Sequence, residues 1–177
     1  MRPGVTRFDV KLRAPGAGDK VELGSMRRDT ALQHLLLAYP DTETSIDLDH
    51  WLERRTSDPK GAFFVVADIE TDKCLGFVQL TNVHGKGRHG ALGIAISRAV
   101  QGRGVGRQAV TLLLDYAKET MGLRKVELEV MYENDRAIQL YRSLGFNEVG
   151  VRREHYFNGT SWHDVLLMEI FLEERQA

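Results

Sequence analysis

The sequence predicts an α/β domain, and three observations carry that prediction. Apolar residues switch between a period of two and a period near 3.6 as the chain proceeds. The segments marked in this way follow the order β-α-α-β-β-β-α-β-α-β-β. No repeat, low-complexity tract or linker interrupts the 177 residues, a length that fits one domain of ordinary size. Residues 1–177 are therefore expected to form a single domain, and 42% hydrophobic residues allow a core without staples.

Each element has its own signal. Phe8-Asp9-Val10-Lys11-Leu12 alternates apolar and polar residues as a half-buried strand does, and residues 14–19, rich in Gly and Pro, read as a turn. Asp29 is placed to cap a helix carrying Leu32, Leu35, Leu36 and Tyr39, ended by Pro40. A second short helix is expected over about residues 45–55, with Ile46, Leu48, Trp51 and Leu52 apolar. Residues 62–69 and 75–83 are strongly β-forming and are joined by a tight turn at Thr71-Asp72-Lys73. A third strand is expected over 91–97.

Val105, Ala109, Leu112, Leu113 and Tyr116 then repeat at helical spacing, with Gly122 as the stop. Lys125–Met131 alternates as a strand. Ala137, Ile138, Tyr141 and Leu144 form another helical stripe, stopped by Gly145. Residues 146–156 and 161–172 flank Asn158-Gly159, a strong hairpin signal.

Composition narrows the function classes. A formal net charge of -1 and the lack of a basic–aromatic stripe argue against a nucleic-acid partner. One cysteine, Cys74, excludes an internal disulfide framework and fits a reducing compartment, and no Cys/His spacing resembles a zinc site. The first thirteen residues lack the apolar core of a signal peptide, and no run approaches the roughly 20 apolar residues that span a bilayer. The expectation is a cytoplasmic protein with no membrane partner and no metal.

The turn Gln101-Gly102-Arg103-Gly104-Val105-Gly106, followed by Arg107, lies between a buried strand and an amphipathic helix. Its glycines permit positive φ and close backbone approach. The helix that follows presents unpaired N–H groups and a positive dipole end. Together these make a nest for phosphate, with Arg103 and Arg107 adding charge. The turn lacks the Gly-Lys-Ser/Thr ending of a Walker loop and the final spacing of a Rossmann fingerprint. On local chemistry alone a phosphate nest and a merely geometric tight turn both stand open.

Larger patterns resolve the choice. Gln101-x-x-Gly104-x-Gly106 resembles the pyrophosphate-binding signature of the GNAT superfamily of N-acetyltransferases. Val130 to Asn134 followed by Ala137-Ile138-x-Leu140-Tyr141-x-x-x-Gly145-Phe146 resembles a second block of that family. The closing segment, with Arg153, Asn158-Gly159 and Asp164, is similar to the branch of spermidine and ribosomal-protein N-terminal acetyltransferases. The resemblance implies a mixed, mostly antiparallel sheet whose central parallel strand pair splays apart between flanking helices.

It also implies acetyl-CoA as acetyl donor, a primary amine as acceptor and a homodimer. The backbone of Ile94, Ala95 and Ile96 would pair with the pantetheine arm. The turn from Gln101 through Gly102, Arg103, Gly104, Val105 and Gly106 to Arg107 would hold the diphosphate. Asn134 would touch the donor from the next helix, as well as serving as a helix N-cap, and Arg142 would reach its phosphorylated end.

Direct acetyl transfer needs an acid at sulfur, a donor to the oxyanion and a base for the ammonium. Tyr141 matches the tyrosine that relatives place beside the thioester; a phenol, with an ordinary pKa of about 10, gives a proton to a thiolate without tuning. Packing in the stripe with Ile138 and Leu144 is its other reading. Many relatives in this branch carry a Glu where this chain has Ala91, so either the base lies elsewhere, with His89, Glu129 and Glu133 as the candidates, or a water chain does the work. Cys74 reads as a packing residue.

For the acceptor two clusters point in opposite directions. Asp41, Glu43, Asp47, Asp49 and Glu53 would attract a polycation, or form a solvated surface. Arg152, Arg153, His155 and Tyr156 would suit a carboxylate or a nucleotide-linked amino sugar. An N-acetyltransferase is the leading reading; a non-catalytic acyl-CoA-binding module, favoured by the missing Glu, and a nucleotide-binding protein are the rivals.

Overall fold

The structure, a computed structural model, describes residues 8–38 and 47–172. Its elements are β1 (Val10–Arg13), α1 (Lys20–Arg28), α2 (Thr30–Leu35), α3 (Leu48–Thr56), β2 (Ala62–Asp68), β3 (Cys74–His84), β4 (His89–Ile96), α4 (Val105–Glu119), β5 (Lys125–Met131), α5 (Asp135–Ser143), β6 (Asn147–Phe157) and β7 (Trp162–Phe171). Seven strands form one sheet in the order β1-β2-β3-β4-β5-β7-β6. Every neighbouring pair is antiparallel except β4 and β5, which run parallel. The expected mixed sheet with a central parallel pair is therefore observed.

Period-two patterning sorts the strand residues onto two helical layers. Val66, Val78, Leu80, Leu92, Val126, Leu128 and Val130 pack with Val105, Ala109, Leu113 and Ala117 of α4 and with Ile138 and Tyr141 of α5. Their neighbours in sequence, Val65, Ala67 and Phe77, pack on the opposite face with Leu23 and Met26 of α1, Leu32 of α2 and Trp51 of α3. Trp51, Phe63 and Phe77 form an aromatic cluster there, with ring centroids 5.3–5.5 Å apart. The Gln108 side chain ties α4 to the edge strand: its Nε2 donates to the Phe8 carbonyl at 2.7 Å and its Oε1 accepts from Val10 N at 3.2 Å.

Caps follow the sequence signals. Asp29 Oδ1 accepts from Leu32 N at 3.0 Å and Asp47 Oδ1 from His50 N at 2.9 Å. Gly122 and Gly145 hold positive φ where α4 and α5 end.

Three expectations need correction. Helix α1 went unread, because its segment places Gly and Ser at its centre and leaves Val21 exposed; tertiary burial of Leu23 and Met26 outweighs that weak propensity. The helix capped by Asp29 ends at Leu35, which is exposed rather than core; Tyr39 and Pro40 lie outside the described residues. The next helix begins at Leu48, and residues 45 and 46 also lie outside.

Candidate active site

The ladder between β4 and β5 contains only three pairs: His89 with Lys125, Gly90 with Val126 and Ala91 with Glu127. Beyond Ala91 each strand follows its outer neighbour. β4 stays paired with β3 as far as Ile96, and β5 with β7 as far as Met131. Sheet twist carries two strands apart once their shared ladder stops, so the β5-facing edge of residues 92–96 has no strand partner. A cavity of about 810 Å³ occupies the fork.

Ile94, Ala95 and Ile96 line it from β4. The glycine turn closes one end. Gly102 and Gly104 sit at φ 80° and 83°, the left-handed region that side chains with a Cβ rarely adopt. Gly104 is the N-cap of α4, no side chain caps it, and a Cβ built there would meet nothing within 4 Å. The first-turn amides of α4 are thus left for an outside acceptor. Gln101, Gly102, Gly104, Gly106 and Arg107 line the cavity, so this cradle has the shape and donors for a diphosphate.

The side chains of the turn divide the work differently from expectation. Gln101 Nε2 donates to the Ile96 carbonyl at 3.0 Å, locking the turn to the end of β4. Arg103 lies off the cavity, its guanidinium 5.6 Å from the Phe8 ring centroid. Val105 is core, 1% exposed. Arg142 pairs with Glu148 and does not line the cavity. The cations that do line it near the turn are Arg107, whose Nη2 donates to Ser143 Oγ at 2.6 Å, and Arg136, whose Nη1 donates to Gln101 Oε1 at 3.3 Å. Arg136 is not among the sequence-read candidates, which take Arg142 from the same helix, α5.

Asn134 lines the cavity and caps α5, its Oδ1 accepting from Ala137 N at 3.2 Å. Tyr141, on the next turns of that helix, reaches the cavity from a site where it is 7% exposed. Its hydroxyl has no hydrogen-bond partner among the described residues. Burial pushes its pKa up to about 12, so the phenol keeps its proton at neutral pH.

The wall on the α1–α3 face is made of side chains. Directly opposed strand residues share a face, and one transverse row runs Thr81, Ala91, Glu127, Glu169 across four strands. Lys125 Nζ sits 3.0 Å from Glu169 and 3.5 Å from Glu127. Its bond to Glu169 holds its pKa above the ordinary lysine value. Glu129 lines the cavity in a close ion pair with Arg152. His89 does not line it; its Nδ1 is buried, without a hydrogen-bond partner, 3.7 Å from Glu127 Oε1. Glu133 is turned to His163 at 3.3 Å. Glu127, Lys125 and Glu169 are not singled out from sequence, although the alternation of β5 puts Glu127 on the same face as Glu129.

Members of both acceptor clusters have partners of their own, and within the basic one Arg152 Nη1 and His155 Nε2 lie 3.5 Å apart. Asp47 caps α3 and Asp49 pairs with Lys20 at 2.6 Å, while Asp41 and Glu43 lie outside the described residues. Arg152 is engaged by Glu129, and Tyr156 Oη donates to the Ala38 carbonyl at 2.6 Å. Cys74 is half-buried and off the fork, with burial pushing its thiol up to about 11. Among the described residues no helix is long and apolar enough to cross a membrane.

The comparisons agree with this geometry. The sequence profile of the Acetyltransferase (GNAT) family matches residues 28–146. The spermidine N(1)-acetyltransferase of Vibrio cholerae is 30% identical over 161 residues, which is 91% of this chain and 92% of that one. The [ribosomal protein bS18]-alanine N-acetyltransferase of Salmonella typhimurium is 32% identical over 115 residues, 65% of this chain and 67% of that one. The crystal structure of the V. cholerae spermidine enzyme in complex with CoA and spermine superimposes with a TM-score of 0.84 at 28% identity, covering 92% of this chain and 95% of that one. The chain belongs to the GNAT acetyltransferase family, and it is an N-acetyltransferase whose acetyl donor is acetyl-CoA.

Proposed function

We propose that the chain acetylates a primary amine of a small aliphatic polyamine by direct attack on acetyl-CoA, within a single domain spanning residues 1–177. The observation that carries the acceptor class is the carboxylate wall: away from the glycine turn Glu127, Glu129 and Glu169 stand with the two cations Lys125 and Arg152, while the other lining cations, Arg107 and Arg136, stand at the turn. An excess of negative charge on that wall favours an ammonium there over a carboxylate or phosphate. The similarity to a spermidine N(1)-acetyltransferase over 91% of the chain supports the same class.

In this reading acetyl-CoA supplies a thioester carbonyl open to attack. The amides of Gly102 to Arg107, with Arg107 and Arg136, bind its diphosphate. The unpaired edge of Ile94, Ala95 and Ile96 takes the pantetheine amides as an added strand would, and Asn134 flanks the arm. Tyr141 gives its phenolic proton to the departing sulfur. The protein acts in the cytoplasm as a homodimer, following the habit of the family.

A protein N-terminus is the second reading, favoured by the similarity to the bS18-alanine enzyme. An acetylation screen over polyamines, amino sugars and N-terminal peptides, read by thiol release, separates them. Spermidine is expected to give the highest kcat/KM. Selective turnover of an N-terminal peptide replaces the polyamine by the second reading.

A further inference from the structure

Direct transfer needs a group to take the ammonium proton, and Ala91, at the point where the strands part, offers none. The register supplies a substitute one strand away. Ala91 and Glu127 are the last paired residues before the fork opens. Directly opposed residues of a parallel pair point to the same face, and the methyl of Ala91 leaves room beside the longer side chain.

Three neighbouring carboxylates differ in what they already hold. Glu129 is closed by its ion pair with Arg152, and Glu169 accepts a hydrogen bond from Lys125 Nζ at 3.0 Å. Glu127 is the most loosely held of the three, its nearest cation being Lys125 at 3.5 Å. Behind it stands His89, with a buried Nδ1 that lacks a hydrogen-bond partner, 3.7 Å from Glu127 Oε1. The other face of that ring stacks on His84, centroids 5.5 Å apart, and a third of the His89 side chain reaches solvent.

We infer that Glu127 is the catalytic base of this enzyme, with His89 as the positioning residue that passes its proton outward. The inference rests on the direct-transfer reading of the fork given above. Glu127 takes one N–H proton from the bound ammonium, and the freed lone pair forms the new C–N bond to the acetyl carbon. The C–S bond then breaks, its electron pair stays on sulfur, and Tyr141 protonates that sulfur. The second N–H proton of the attacking nitrogen restores the phenol through solvent, while the first leaves Glu127 by way of His89. One proton is released per acetyl group moved.

The test uses the full chain and whichever amine the wild type turns over best, so a wrong acceptor class shows in the wild-type screen and leaves the base test intact. In Glu127→Gln, kcat is expected to fall about 100-fold near neutral pH. That deficit should shrink as the pH nears the amine's own pKa of about 10, where free amine needs no base. Acetyl-CoA affinity by calorimetry should stay within about twofold, and amine affinity without acetyl-CoA should weaken several-fold as the ammonium loses its counter-charge.

The charged neighbours facing Glu127 (Lys125, Glu129, His89, Glu169 and, through Glu129, Arg152) make Glu129→Gln the required parallel. It is expected to show a smaller loss that is constant with pH. His89→Asn should displace the acid limb of the pH–rate profile without changing acetyl-CoA affinity; an unmoved limb removes the histidine from the route. A Glu127→Gln deficit that is absent, or equal at every pH, overturns the inference. A pH-dependent deficit appearing in Glu129→Gln instead moves the base to that residue.

Discussion

The two walls of the fork are built from different parts of the chain's chemistry. On the glycine-turn side the surface offered to a ligand is backbone: the edge of Ile94 to Ile96, the turn around Gly102 and Gly104, and the first amides of α4. On the opposite side it is side chains contributed by β3, β4, β5, β6 and β7, with Glu127 and Glu169 brought level by strand register. A backbone wall binds any ligand with the right string of acceptors, whatever side chains surround it. A side-chain wall is changed by single substitutions. One fold can thus keep its donor while its acceptor varies.

If that division is real, the largest single effect should come from filling the backbone cradle. Gly104→Glu forces a residue with a Cβ to φ 83°, which costs about 1–2 kcal/mol, and sets a carboxylate where the diphosphate would lie. Acetyl-CoA affinity by calorimetry should fall at least about 1000-fold, roughly 4 kcal/mol. Gly104→Ala carries the strain without the charge and should lose far less. Equal losses in the two variants would make the site one of conformation rather than charge.

Tyr141 lines the same cavity from α5. Tyr141→Phe removes a hydroxyl that has no hydrogen-bond partner among the described residues, so stability should barely change. Turnover should fall about 100-fold, near 2.7 kcal/mol, with acetyl-CoA affinity within about threefold. The expected sign with pH follows from a phenol held up at about 12 by burial. It remains an acid across the neutral range, so the Phe variant should lose rate evenly from about pH 6 to about pH 9. A loss confined to one end of that range would mean that Tyr141 is not the acid.

How much of each wall was legible follows from the same difference. The turn could be read because its glycines, the strand before it and the helix after it are contiguous, and φ > 0 leaves a mark in composition. The splay itself is not local: it needs β4 and β5 to leave each other after Ala91 and Glu127, and resemblance alone anticipated it. Arg103 is read from charge in the turn and Arg142 from the resemblance, but the one lies against Phe8 and the other pairs with Glu148. Arg136 occupies the place foreseen for them. Glu127 was hidden because its meaning depends on Ala91, 36 positions earlier, and spacing along one strand carries no information about the strand beside it. Of the acidic run from Asp41 to Glu53, Asp47 and Asp49 serve a cap and an ion pair, while Asp41 and Glu43 lie outside the described residues.

A control away from both walls keeps stability separate from binding. Arg13 meets Asp19 with two hydrogen bonds, 2.7 and 2.8 Å, and Asp19 also accepts from Gly16 N at 2.7 Å. The Arg13 guanidinium holds the Asp19 carboxyl below the ordinary carboxylate range. A depressed folded-state pKa adds stability above the unfolded value of about 3.9 and loses it as pH falls through the folded value. Asp19→Asn should therefore cost about 1–3 kcal/mol near neutral pH in a denaturant titration. Its gap from wild type should close as pH drops below about 4, while acetyl-CoA affinity stays unchanged. A gap independent of pH would assign the loss to packing.

The smallest expected effect is the most searching for the two-wall picture, because it acts on the strand that both walls share. A Cβ at Gly93 would point to the side-chain face, 2.8 Å from Gln79 Nε2 and 3.0 Å from its Cγ. Those atoms belong to a flexible side chain, so Gln79 can swing aside and give up its bond to Arg55 Nη1, now 3.1 Å. The lost bond costs about 1 kcal/mol, and replacing Gly by Ala in a strand returns a similar amount of backbone entropy. Gly93→Ala should therefore melt within about 3 °C of wild type. On the backbone edge nothing changes, so acetyl-CoA affinity should hold, while KM for the amine shifts about threefold as Gln79 moves along the acceptor wall. Were acetyl-CoA affinity to shift and the amine KM to hold, β4 would not keep its two faces apart, and the separation of donor from acceptor would fail at the strand meant to enforce it.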